Sequence, residues 1–192
     1  MKTNTKKIAG TGILTAVVVV LQLLGSFIKF GPFSISLVLI PIVVGAALYG
    51  KAAGAWLGAA FGVAVLASGD ASMFMAVNPA GTVITVMAKG LLAGLLAGLV
   101  YSLVEKKNKI VATIVAAIVC PVVNTGVFLA GCSLFFMDTL KEWAQGAGFG
   151  TSVATYMIVG LVGLNFVFEL VINIVLSPVI VKLVRLGKKE NK

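Results

Sequence analysis

Six apolar stretches, with most lysines gathered at the chain ends and in one connection, constrain this chain more than any other feature. They cover residues 8–28, 35–49, 52–67, 83–104, 110–136 and 153–184. About 20 apolar residues in a helix cross a bilayer, and in hydrocarbon the backbone must satisfy its own hydrogen bonds. The chain has 192 residues, 60% of them hydrophobic and only 11% charged. A soluble domain usually carries about 25% charged residues. The expectation is therefore an all-α membrane protein, a single bundle over residues 1–192 with six transmembrane helices. The second and third stretches are short and joined by only Gly50 and Lys51, which predicts a tight hairpin leaning on its neighbours. The sixth is too long for one crossing and predicts tilt or a projecting end.

Charge placement predicts the orientation. If the stretches alternate in direction, one side holds Lys2, Lys6, Lys7, Lys51, Lys106, Lys107, Lys109, Lys182, Arg185, Lys188, Lys189 and Lys192, and the other only Lys29 and Lys141. The basic side faces the cytoplasm, so both termini are expected there, in an inner or plasma membrane of bacterial type. The apolar run at 8–28 is too long for a typical signal-peptide core and lacks a small-residue cleavage pattern. It reads as an uncleaved first span. The segments at 29–34, 68–82 and 137–152 then lie outside and are longer than the inner turns. They are expected either to cover something or simply to vary as loops do.

The net charge of +9 raises nucleic acid as a partner. The lysines flank lipid-facing runs, however, and form no basic stripe interleaved with aromatics, which excludes that class. There is no histidine, and the two cysteines, Cys120 and Cys132, lie in one apolar run. Twelve helical residues separate them by about 18 Å, too far for a disulfide between them. A zinc or haem site is not expected. Residues 45–52 approach a P-loop, but Ala52 stands where Ser or Thr must hold magnesium. With no general base and no paired carboxylates in the spans, enzyme activity is not expected.

Five polar residues interrupt the spans: Lys89, Asn124, Asn165, Glu169 and Asn173. A charge inside the bilayer normally faces the bundle interior and has a partner or a ligand. At 1.5 Å per residue, Lys89, Asn124, Asn165 and Glu169 all lie about 20 to 26 Å above the inner boundary. Three spans thus reach one layer, in the outer half of the membrane. Asn165, Glu169 and Asn173 are spaced by four and share a helix face. Two readings stay open. One is a pocket, open to the outside, that offers a cation, an anion and amides to a small polar solute. The other is a buried Lys89–Glu169 pair that sets helix register, with asparagines bonding between helices. Asn78, just ahead of the fourth span, is grouped with Lys89, Asn124, Asn165 and Glu169 as a solute contact.

Small residues form a second pattern. Gly54, Gly58 and Gly62 recur every four residues in the third span, and Gly90, Gly94 and Gly98 in the fourth. Such stripes let helices approach closely. Gly12 and Ala16 make a weaker pair in the first span. Packing within the bundle is the ordinary reading, and docking of another membrane protein the sharper one.

The segments 35–62 (ISLVLIPIVVGAALYGKAAGAWLGAAFG), 78–101 (NPAGTVITVMAKGLLAGLLAGLVY), 120–136 (CPVVNTGVFLAGCSLFF) and 165–182 (NFVFELVINIVLSPVIVK) resemble the S components of energy-coupling factor (ECF) vitamin transporters, most of all the pantothenate type. The resemblance implies a six-helix subunit that captures a vitamin outside and delivers it with a membrane coupling subunit and two ATPases. ATP and magnesium then belong to those partners, and no cofactor to this chain. It also implies that the loaded bundle topples in the membrane, and that the first helix docks the coupling subunit through an Ala-xxx-Ala motif, matched here by Gly12 and Ala16, with Val20 next in the series. Pantothenate's carboxylate would suit Lys89, and its hydroxyl and amide groups Asn124. Other vitamins such as folate or riboflavin, a self-sufficient secondary carrier, and a purely structural membrane protein are the competing expectations.

Overall fold

The computed structural model describes residues 2–27, 29–30, 33–34 and 37–190. Residues 28, 35 and 36 of the first two predicted spans, and residues 31 and 32 of the first predicted outer segment, lie outside them. The helices are α1 (Lys2–Gly25), α2 (Leu39–Tyr49), α3 (Lys51–Ser68), α4 (Ser72–Met75), α5 (Pro79–Val104), α6 (Lys109–Phe135), α7 (Met137–Gly146), α8 (Val153–Thr155), α9 (Gly163–Val175) and α10 (Ser177–Glu190), with a π-helical stretch, Tyr156–Leu161, between α8 and α9. Strands β1 (Lys29–Phe30) and β2 (Phe33–Ser34) form a two-residue antiparallel ladder.

Among the described residues, four helices are long and apolar enough to cross a membrane: α1 from Thr5, α3, α5 and α6. The bent pair Val153–Leu161 and Gly163–Val175 makes a fifth crossing if it counts as one. The chain is thus a multi-pass membrane protein. The second predicted span is represented by a short helix: α2 has only 11 residues, a rise of about 17 Å against a hydrocarbon core of about 30 Å. Eight of its residues, among them Leu39, Ile42 and Val43, are buried, so it is a core helix packed against α1, α3, α5, α6 and α10. Gly50, at φ 92°, makes the sharp turn into α3.

The predicted sixth span is one apolar run but not one continuous helix, because it is broken twice. It bends by 46° at Val162, after the π-helical stretch. It breaks again at Leu176, just before Ser177 and Pro178 open α10. A proline in a helix interior removes a hydrogen bond and clashes with the carbonyl four residues back. Near a helix start it is tolerated, so the chain restarts there. Two of the predicted outer loops fold locally. The 68–82 segment contains α4. The 137–152 segment contains α7, which buries Leu140 and Ala144 and keeps an exposed Lys141–Asp138 pair at 2.8 Å.

The glycine stripes pack within the chain. Gly54 faces Gly94, Gly58 faces Gly90, and Gly62 lies on Val86 and Met87, so α3 and α5 meet backbone to backbone. Gly98 sits on Lys51, Gly10 on Tyr49 and Gly187 on Leu48. These contacts gather the lysine-rich segments at one end of the bundle. At the opposite end, Phe74 of α4 meets Phe128, Phe136 and Trp143 edge to face, with centroids 5.6, 5.0 and 5.5 Å away. Such pairs add to area burial, and they close α4 and α7 over the end of the bundle.

Candidate functional site

Beneath that aromatic cluster lies a cavity with about 770 Å³ of atom-free space, its mouth included. Its walls come from α1, α3, α4, α5, α6 and α9 and from the residues that join them. Lys89, Asn124, Asn165 and Glu169, expected in one layer from helical rise alone, all line it.

Lys89 projects about 100° around α5 from Gly90, as adjacent helical residues do. Its Nζ lies 5.5 Å from the Phe61 ring centroid and 5.3 Å from that of Phe128, within the range of cation–π attraction. Glu169 and Asp70 are the carboxylates whose fields act on it. Among the described residues, no ion pair within 4 Å joins Lys89 to Glu169. The direct Lys89–Glu169 pair is therefore not made: two rings hold the cation, and its ammonium faces the cavity. Glu169 is only 7% exposed and interacts with the side chain of Asn124.

The polar stripe on α9 divides. Asn165 and Glu169 line the cavity, whereas Asn173 is fully buried and donates through Nδ2 to the Glu169 carbonyl at 2.8 Å. Asn78 is not brought to the cavity. Its Oδ1 accepts from the Gly81 amide at 2.9 Å, capping α5 ahead of Pro79. Ser, Thr, Asp and Asn do this at helix starts because the first amides lack helical partners. Gly12 and Ala16 lie on the outer face of α1, and a methyl group added at Gly12 would meet nothing within 4 Å. Exposed Ile13, Val17, Val20 and Leu24 surround them.

The cavity also holds residues that the sequence reading passed over. Gln22 is 2% exposed and donates to Asp70 Oδ2 at 2.6 Å and to Ser68 Oγ at 3.4 Å, tying α1 to the end of α3. Gln22 and Asp70 both line the wall, with Thr82, Thr85 and Thr125. The apolar wall is largely phenylalanine: Phe61, Phe74, Phe128, Phe136 and Phe166. Gln22 was legible as a polar residue in an apolar run, and Thr85 as one turn from Lys89. The phenylalanines carried no signal, since lipid-facing and cavity-facing rings look alike in sequence. No group of three or more His, Cys, Asp or Glu gathers among the described residues.

Comparison with curated proteins gives no match. A family model described as "ECF transporter, substrate-specific component" matches residues 6–181. That range includes every residue of the cavity wall. The chain, with its buried polar cavity inside a multi-pass bundle, therefore belongs to the family of substrate-specific components of ECF transporters.

Proposed function

We propose that the chain captures pantothenate from outside the cell, with the carboxylate at Lys89 and the hydroxyl and amide groups at Asn124, Asn165 and Glu169. As a substrate-specific component it is a membrane transport subunit. Such subunits bind a small molecule and work with a coupling subunit and ATPases. The finer assignment is supported above all by Lys89, a lysine held between two aromatic rings with no carboxylate oxygen of the described residues within 4 Å. Such a cation is free to take an anionic end group. The phenylalanine wall would accept the gem-dimethyl part of the vitamin. In this reading the chain crosses a bacterial plasma membrane six times, α2 making a short crossing inside the bundle. Both termini are cytoplasmic, the aromatic end faces outward, and the Gly12–Ala16 face of α1 meets the coupling subunit. ATP is hydrolysed on two partner ATPases.

Equilibrium binding of radiolabelled pantothenate to the purified chain, with folate and riboflavin as competitors, tests the assignment. Saturable binding displaced by unlabelled pantothenate alone is the expected result. Displacement by folate or riboflavin would move the assignment to that vitamin. Uptake by the chain alone in liposomes, without ATPases, would replace this reading with that of a secondary carrier.

A further inference from the structure

Three buried side-chain oxygens at the cavity have no hydrogen-bond partner among the described residues: Thr85 Oγ1, Asn124 Oδ1 and Asn165 Oδ1. They come from three different helices, α5, α6 and α9, and all three residues line the cavity that Lys89 enters. A buried polar group left unpaired pays its full desolvation cost, so three at one cavity need a reason.

Thr85 is the most telling. A helical threonine can bond to the carbonyl four residues back when its rotamer allows. Thr82 does so to Asn78 at 2.8 Å, and Thr113 to Lys109 at 2.9 Å. Thr85, only 3% exposed, does not. Its side chain packs against Gly131 of α6, where an added methyl group would strike both Oγ1 and Cγ2. That packing calls for the shape of the side chain, which valine shares, and makes no use of the hydroxyl. Thr85 also lies one helical turn from Lys89, on the same face of α5.

We propose that Thr85 contacts the solute, and that its hydroxyl and the carboxamide oxygens of Asn124 and Asn165 form a subsite for hydrogen-bond donors. A carboxamide oxygen only accepts, so the solute must bring O–H or N–H groups to it. With Lys89 at the other end, the substrate class is a small acid that carries at least two such donors. The inference rests on the reading of the cavity as the solute site and adds a residue and a donor requirement to it.

The test compares wild type, Thr85→Val and Thr85→Ser as purified full-length chains. Two quantities are read: affinity for radiolabelled pantothenate and the melting temperature without solute. Thr85→Val should weaken binding about tenfold, the scale of one lost hydrogen bond, and Thr85→Ser should largely restore it. The solute-free melting temperature of Thr85→Val should equal or exceed that of wild type, because the hydroxyl has no partner to lose. A lower melting temperature for Thr85→Val, or unchanged affinity, would overturn the subsite. If wild type binds no pantothenate, the vitamin assignment falls. The melting temperature then decides whether the Thr85 hydroxyl has a structural partner, a drop again overturning the subsite and no drop supporting it.

Discussion

Gly58 on α3 and Gly90 on α5 are in mutual backbone contact: a Cβ added to either would collide with the carbonyl oxygen of the other. Gly90 follows Lys89 in sequence, so the seam that joins the two helices also sets where the cavity's cation points. Gly58→Ala or Gly90→Ala should force the helices apart at a cost of about 1–3 kcal/mol, as overpacked cores do. The melting temperature should fall and solute binding weaken with it. Gly126→Ala is the control, because a methyl group there meets nothing within 4 Å. It should leave both quantities unchanged or slightly raise the melting temperature, since alanine favours helix over glycine by about 1 kcal/mol. Equal melting curves for Gly90→Ala and wild type would refute the seam.

Removing the cation should separate binding from folding. Lys89→Ala should weaken pantothenate binding at least about tenfold, or about 1.4 kcal/mol, while the protein still inserts and purifies. The Phe61 and Phe128 rings would lose their ammonium partner but keep their packing. Titration of the purified variant measures this, and an unchanged affinity would remove Lys89 from the site.

Two asparagines on one face of α9 should behave oppositely. Asn165 lines the cavity, whereas Asn173 is fully buried and bonds its own helix backbone. Asn165→Leu should reduce solute affinity several-fold. Asn173→Leu should leave affinity within a factor of about two, since it removes an amide whose net hydrogen-bond worth is only about 1 kcal/mol. A loss of binding in Asn173→Leu that matches the loss in Asn165→Leu would mean that the stripe acts through helix position rather than contact.

The outer face of α1 should matter for assembly and not for binding. Gly12→Leu and Ala16→Leu place bulk where the chain itself has open space. Solute affinity should stay at the wild-type value, while co-purification with a co-expressed coupling subunit should fall. Intact complexes with both leucines present would exclude this face from the interface.

That Lys89, Asn124, Asn165 and Glu169 come to one cavity was legible because height along a helix is local. A fixed rise per residue carries Lys89, Asn124, Asn165 and Glu169 to one layer, whatever surrounds them. The glycine stripes were legible for the same reason: a four-residue spacing marks one face of a helix, and α3 and α5 meet along those faces. Long apolar runs likewise announced α1, α3, α5 and α6 to within a few residues. Asn78 and Pro79 carried a helix-start signature, yet Asn78 was placed with the solute contacts rather than as the cap it forms.

What only the tertiary structure decided is what each side chain faces across the bundle. Helical rise gives height but not the partner on the neighbouring helix. Nothing local distinguishes Phe61 and Phe128, which flank Lys89, from a ring facing lipid. The six apolar stretches themselves divide on the same ground. Four are long enough to cross by themselves, while α2 is an apolar run whose neighbours make it core. The sixth bends at Val162, where the chain must turn Asn165 and Glu169 toward the cavity. Apolarity is written in the chain residue by residue, but whether an apolar residue meets lipid, core or solute is settled by the helices packed around it.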